Sequence, residues 1–248
     1  MKTDSSRVQS GGSKRWHCLQ LSAVSYSEAL DLQHRLVDAR INKIIDRDIV
    51  LLLEHPPVFT LGRRGGLESL KISEKFLEET GIPIFHTERG GTITFHGPGQ
   101  VVLYPIIRLR ENRMRVVEYV TGLEEIMIRT AGDWGIRAER NSLNRGVWVG
   151  NRKLGSIGIS VRRGITFHGL ALNVNLSLEP FGWIHPCGLP GVQMTSMREV
   201  LSSEIAMNPV RRAVRQHIES VFAVELEMIK REELRGIKIN DLAASLKL

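Results

Sequence analysis

Three segments combine reactive side chains with glycine and proline. The first is Arg89–Pro105, RGGTITFHGPGQVVLYP. Its Gly90-Gly91 pair permits close backbone approach to a ligand, and its amides can form a concave donor surface. His96-Gly97-Pro98-Gly99-Gln100 reads as a second turn between strands; a glycine-rich hairpin with a polar tip is the plain alternative for the whole segment. The second is Gly146–Val161, GVWVGNRKLGSIGISV, where Lys153 stands among apolar and glycine residues. A lone lysine on a strand is usually a solvated edge residue. Ser156-Ile157-Gly158 follows it as a place where backbone passes close to something. The third is Gly164–Ser196, in which Cys187 lies between Pro186 and Gly188, with Gly191 close behind. Proline and glycine mark a loop there. A single thiol in such a loop, with a base available, is a nucleophile pattern. Cys18 lacks that context and reads as structural.

Other chemistries fit less well. Five of the eight histidines (His55, His86, His96, His168 and His185) lie in or near these segments. No HExxH or CxxC spacing accompanies them, so a metal site is not expected. No GxxxxGK[ST] loop occurs, and Gly62-Arg63-Arg64-Gly65-Gly66 is basic and glycine-rich but too short to establish phosphate binding.

The elements that must position these residues mix strand and helix. A strand is expected near Trp16–Leu21. Ser25-Tyr26-Ser27-Glu28 reads as a capping box opening a helix whose buried face carries Leu30, Leu36, Val37, Ile41 and Ile44. Ile49–Glu54 is a continuous apolar run, a central strand, and Val58–Leu61 follows Pro56-Pro57 as another. Ser73–Thr80 reads as a short helix stopped by Gly81. Residues 82–107 are strand-like, Val116–Trp134 is helical, and Gly146–Asn175 returns to several short strands. Asn208-Pro209 reads as N-cap and N1 of a helix through Phe222. Val224–Ile229 is a further strand, and Asn240-Asp241 opens a small terminal helix. The elements do not alternate regularly, which favours α+β.

The chain has 248 residues, 42% apolar and 25% charged, enough for one substantial core. Residues 1–14 read as a disordered tail without an apolar targeting segment, and 15–248 as one catalytic domain. No apolar run approaches a membrane span, and two cysteines make no disulfide framework. A cytoplasmic home is the simplest reading. The formal charge is +7, with arginines clustered at Arg108, Arg110, Arg113 and Arg115 and at Arg211, Arg212 and Arg215. A basic surface attracts acidic partners. No nucleic-acid motif accompanies it, so neither nucleic acid nor membrane is an expected partner.

RGGTITFHGPGQVVLYP, KLGSIGISVRRGITFHGLALNVN and the PCG…TS segment resemble those of the lipoyl(octanoyl) transferases, over roughly residues 45–200. That family belongs to the biotin/lipoate protein ligase catalytic superfamily. The resemblance implies a single α+β domain, a central mixed β-sheet flanked by helices. It implies transfer of an octanoyl group from octanoyl-acyl carrier protein to a lysine of an acceptor. The acceptors are lipoyl domains of 2-oxoacid dehydrogenase complexes and the glycine cleavage H protein. By the same resemblance Cys187 is the acyl-thioester cysteine and Lys153 the lysine that tunes it. Substrate contacts fall on Arg89, Gly90, Gly91, Thr92, Ile93, Thr94, Phe95 and His96, on Ser156, Ile157 and Gly158, and on Gly169, Leu170 and Ala171.

Such chemistry suits these residue types. The donor thioester is already activated, so no ATP or other cofactor is expected. A free thiol with a pKa of about 8.5 is mostly protonated at neutral pH, and must lose that proton to attack. Lys153 can help as an ammonium that stabilises the thiolate or as an amine that takes the proton. Burial among Val149, Leu154 and Ile157 would favour the second role. Backbone amides near Gly90-Gly91 or Gly188 are oxyanion-hole candidates. Two alternatives remain open at this point. An ATP-dependent lipoate or biotin ligase of the same superfamily would need no cysteine nucleophile. A non-catalytic module that binds acyl carrier protein would gain no acyl adduct.

Overall fold

The computed structural model describes residues 14–185 and 191–235. Cys187, Gly188, residues 1–13 of the expected 1–14 tail and the expected helix at Asn240-Asp241 lie outside the described residues, while Lys14, the last residue of that expected tail, opens the first strand opposite Val224. The chain begins with strand β1 (Lys14–Ala23), helix α1 (Tyr26–Ile41) and strands β2 (Ile49–Glu54) and β3 (Val58–Leu61). A 3-10 turn at Leu67–Ser69, helix α2 (Glu74–Thr80) and strands β4 (Ile84–His86), β5 (Ile93–His96) and β6 (Gln100–Ile106) follow. Then come α3 (Val116–Gly132), β7 (Gly146–Val149), β8 (Arg152–Arg162), β9 (Ile165–Asn173) and α4 (Glu179–Gly182). The described chain closes with β10 (Gln193–Met194), α5 (Met197–Leu201), α6 (Met207–Phe222), β11 (Val224–Ile229) and α7 (Arg231–Arg235).

One eight-stranded mixed sheet runs β10-β8-β9-β6-β2-β1-β11, with β7 also paired to β8. Strands β1, β2 and β11 are parallel, while β2, β6, β9 and β8 alternate antiparallel. Strands β2 and β6 are largely apolar on both faces because both faces are covered. Val50, Leu52, Val101 and Leu103 face α3 and α6 through Leu123, Ile126, Met127, Val214 and Ile218. Leu51, Leu53, Val102, Tyr104 and Ile106 face α1 through Leu36 and Val37. A second, three-stranded sheet, β4-β3-β5, carries its own cluster of Phe59, Leu61, Ile93, Phe95, Phe181 and Ile184. No described helix is long and apolar enough to cross a membrane.

Local signals account for most element ends. Ser25 caps α1 by accepting from the Glu28 amide, and Ser73 caps α2 by accepting from the Phe76 amide. Gly81 ends α2 in the left-handed conformation. Three expectations shift. The first helix ends at Ile41, so Ile44 is 41% exposed and Ile45 enters the core instead. Asn208 does not cap α6; the helix starts at Met207, and the Asn208 side chain accepts from Arg211. Pro209 is tolerated there because the first-turn amides have no helical partner. The expected short strands after Gly146 include two long ones, β8 and β9, of 11 and 9 residues.

Candidate active site

A cavity of about 470 Å³ lies between strands β8 and β9 of the large sheet and the loop leading into β5. That size suits a small-molecule site. The Ser156-Ile157-Gly158 and Gly169-Leu170-Ala171 triplets are direct cross-strand partners: Ser156 faces Ala171, Ile157 faces Leu170 and Gly158 faces Gly169. All six line the cavity. Two segments singled out separately in the sequence are therefore one continuous wall. Gly169 also backs onto β6, where an added Cβ would meet the Leu103 carbonyl oxygen at 2.1 Å.

Lys153 lies at one end of this wall. It is 1% exposed, not a solvated edge residue. β7 and β10 both pair with β8 beside it, at Trp148 and Met194. Its Nζ donates to Arg145 O at 2.9 Å and Asn144 Oδ1 at 3.1 Å, and sits 5.5 Å from the Trp148 ring centre. Gly146 makes room for it. At φ +126°, a Cβ there would meet Gly155 O at 2.4 Å and Lys153 Cε at 2.7 Å. The β10 side is tied down as well, since the Thr195 amide donates to Lys153 O at 2.9 Å.

The 89–96 segment forms the opposing wall. Arg89 is 7% exposed and staples the loop from within. Its guanidinium donates to Thr60 Oγ1 and O and to the carbonyls of Gly90 and Thr92. The Gly90 amide donates to Ile159 O at 2.9 Å, which clamps the loop onto β8 and takes that amide out of the oxyanion-hole candidates. Arg89, Gly90, Gly91, Thr92, Ile93, Thr94 and His96 line the cavity. Phe95 does not. Strand alternation turns its ring the other way, 5.3 Å from Phe59 and 5.8 Å from Phe181 in the small-sheet core.

At the far end from Lys153, the cavity is lined by Tyr26, His96, Tyr104 and His168. Hydrogen bonds there define the proton positions. Asn173 Nδ2 donates to Thr195 O, so Asn173 Oδ1 accepts from Gln100 Nε2. Gln100 Oε1 is then the acceptor at 2.7 Å from His96 Nδ1, which must carry its proton. His55 Nδ1 likewise donates to Val24 O at 2.7 Å, leaving His55 Nε2 to accept from the Tyr104 hydroxyl at 2.8 Å. Burial pushes the His96 imidazole down to about 3 and the His55 imidazole down to about 4. Burial also lowers His168 and raises the Tyr26 phenol to about 12. These groups are polar but uncharged near neutrality. Behind them, His168 at 3.8 Å and His34 at 2.6 Å flank Glu88 and help hold its carboxyl down to about 2. His168 adopts a φ of +54°, uncommon for a non-glycine residue.

Of the histidines noted in the sequence, His96 and His168 line the cavity, and His55 lies behind His96 with ring centres 5.7 Å apart. His86 is exposed on β4, and His185 lies against Ser69. Tyr26, Tyr104, Asn144, Gln100 and Asn173 were not legible as site residues. Gln100, Tyr104 and Asn173 lie inside the quoted segments, while Tyr26 and Asn144 lie outside them. Cys18 is fully buried, and burial pushes its thiol up to about 12, an inert environment.

The chain matches the model of the lipoyl protein ligase A/B catalytic domain over residues 25–219. It belongs to this family. An octanoyltransferase from Desulfotalea psychrophila is 48% identical over 206 residues, covering 82% of this chain and 92% of that protein. One from Syntrophobacter fumaroxidans is 46% identical, covering 82% and 89%. Among solved structures, lipoate-protein ligase A bound with ATP superposes with a TM-score of 0.72 at 14% identity, covering 92% of this chain and 94% of that one. The bi-partite lipoate protein ligase of Thermoplasma acidophilum, described with its E2 lipoyl domain, gives 0.70 at 14%, covering 92% of each chain. The structural likeness carries the fold, a biotin/lipoate ligase catalytic type. The sequence likeness carries the activity. This member of the lipoyl protein ligase A/B family is an acyltransferase that moves octanoyl groups in protein lipoylation.

Proposed function

We propose that the octanoyl group passes through a thioester on Cys187, with Lys153 moving the protons. In the first half-reaction the Cys187 sulfur attacks the donor carbonyl as its thiol proton passes to Lys153 Nζ. The bond to the donor thiol breaks, and that thiolate takes the proton. In the second, the acceptor lysine amine attacks the Cys187 thioester, its proton passes to Lys153, and the Cys187 thiolate leaves and is reprotonated. Each step exchanges one acyl bond for another, so no ATP is consumed. Asn144 Oδ1 and Arg145 O accept from Lys153 Nζ and orient it.

One observation carries this reading: a buried lysine, 1% exposed, that lines the cavity and whose Nζ is held by Asn144 and Arg145. The ties of the flanking chain support a partnership with Cys187. The His185 amide donates to Ser69 O, and Gln193-Met194 pair with Arg152-Lys153. We assign substrate contacts to Arg89–His96, Ser156–Gly158 and Gly169–Ala171, with Phe95 acting through the wall it braces. The donor is octanoyl-acyl carrier protein. The acceptors are lipoyl domains of 2-oxoacid dehydrogenase complexes and the glycine cleavage H protein. The catalytic domain is assigned to 15–248 and its place to the cytoplasm.

Intact-protein mass spectrometry tests the intermediate. Mixed with octanoyl-acyl carrier protein, the wild-type protein gains one octanoyl group that hydroxylamine or a lipoyl domain discharges, and Cys187→Ser gains none. Full turnover by Cys187→Ser without any acyl adduct would overturn the covalent route.

A further inference from the structure

The Gly62–Gly66 segment, basic and rich in glycine, is not used by the chemistry above. Its glycines have a structural reason. Gly62, Arg63 and Arg64 donate their amides to the carbonyls of Thr92, Arg89 and Gly91 at 2.7, 3.0 and 3.1 Å, and Gly65 closes a turn onto Gly62 O at 2.9 Å. A Cβ on Gly62 would meet Gly91 O at 2.6 Å, and one on Gly65 would meet the Thr92 carbonyl carbon at 2.7 Å. Only glycine lets this turn lie flat on the cavity-forming loop. The turn therefore holds the backbone of Arg63 and Arg64 at a fixed place, with both side chains exposed and both on the cavity lining.

The charge around them has one sign. Among the described residues the cavity is lined by five cationic side chains (Arg63, Arg64, Arg89, Arg145 and Lys153) and by no carboxylate. Three of the five have roles already. Arg89 braces its own loop, Arg145 lies 3.3 Å from Glu124, and Lys153 is held by Asn144 and Arg145. Arg63 and Arg64 form no ion pair among the described residues; the nearby carboxylate of Glu68 folds over Gly66 instead. A cavity of one charge sign, walled by protein, concentrates ligands of the opposite sign. Paired guanidinium groups suit phosphate oxygens in particular.

We propose that Arg63 and Arg64 form an anion seat for the acyl donor, holding the phosphate through which a carrier protein bears its acyl arm. The inference rests on the donor class assigned above. The arm's phosphate is the donor charge nearest the reacting end, and Arg63 and Arg64 are exposed cations on the lining of the cavity. The seat is distinct from the Arg108–Arg115 run, none of whose arginines lines the cavity.

Three donors separate the sources of negative charge: octanoyl-pantetheine, octanoyl-phosphopantetheine and octanoyl-acyl carrier protein. Each is tested with wild type and with an Arg63→Gln/Arg64→Gln double variant, reading kcat/KM for octanoyl transfer to a lipoyl domain, with folding checked by thermal melting. Wild type should prefer the phosphorylated over the unphosphorylated small donor by about tenfold at low salt, as expected for two guanidinium contacts. The double variant should lose most of that preference, and raising salt should erode it in wild type. Equal wild-type use of the two small donors would overturn the seat. So would a loss confined to the carrier-protein donor, which would move the two arginines to the carrier's acidic face. Failure of wild type to use any of the three donors would instead overturn the donor assignment itself.

Discussion

The two ends of the cavity solve opposite problems with similar means. At one end Lys153 is buried beside Trp148, and carbonyl and amide oxygens surround its Nζ. At the other, Tyr26, His96, Tyr104 and His168 are buried to a similar degree, and burial lowers the two imidazoles and raises the two phenols. Along β8, from Lys153 to Ile159 opposite His168, the ends are about 20 Å apart at strand spacing. The difference lies in what holds each polar group. His96 Nδ1 and both nitrogens of His55 are engaged in hydrogen bonds, which hold their rings in place. The Lys153 end is built from the Asn144-Arg145 segment and the β10 pairing that leads toward Cys187 in the chain, which suits proton movement.

The largest effects belong at the Lys153 end. Cys187→Ser should abolish transfer, and Lys153→Ala should slow single-turnover aminolysis of the acyl-enzyme by about 10²–10⁴-fold. Lys153→Arg should be nearly as damaging, because arginine keeps the charge but cannot give up a proton. Normal turnover by Lys153→Arg would reduce Lys153 to a fixed cation and break the contrast between the ends.

Acid titration of stability examines the other end. His96 and His55 have folded-state values of about 3 and about 4, below the usual 6.5. Between those limits the unfolded chain binds protons that the native state refuses, so stability is full above about 6.5 and falls as pH drops toward 4. Each histidine contributes a slope of roughly 1.4 kcal/mol per pH unit within that window. Below about 4.5 the lowered Glu88 carboxyl adds a further loss in the same direction. Denaturant melts at pH 7, 6 and 5 read the slope. A flat profile would mean that the imidazole end carries charge after all.

A smaller effect is expected for Gln100→Leu. It leaves His96 Nδ1 and Asn173 Oδ1 without their partner in a buried site, costing about 1–3 kcal/mol. The thermal midpoint should fall while the octanoyl adduct on Cys187 still forms. Loss of acylation with an unchanged midpoint would make Gln100 part of the chemistry rather than of the wall.

The smallest effect is expected from the arginine run before α3. Sequence composition offers Arg108, Arg110, Arg113 and Arg115 as a docking surface for an acidic carrier. In the fold, Arg108 pairs with Glu111 and Arg115 with Glu118, and none of the four lines the cavity. Arg110→Gln with Arg113→Gln should therefore change kcat/KM with the carrier donor by less than about twofold, within the range of solvated surface charge. A tenfold loss would restore the run as the docking face.

Sequence by itself determined the elements and the family. The unbroken IVLLL of β2 declares a strand covered on both faces, Ser73 and Gly81 bracket α2, and the RGGTITFHGPGQ and KLGSIGIS segments carry the resemblance. These signals are local, because burial pattern, capping and turn chemistry act within a few residues. Tertiary structure alone decided that Lys153 is buried, that Phe95 turns away from the cavity, and that Ser156–Gly158 and Gly169–Ala171 share one wall. It also decided that His55 meets Tyr104 across 49 residues and Gln100 meets Asn173 across 73. Those outcomes depend on strand order and register, which are set by how both faces of the sheet pack and leave no trace in the residues around each position.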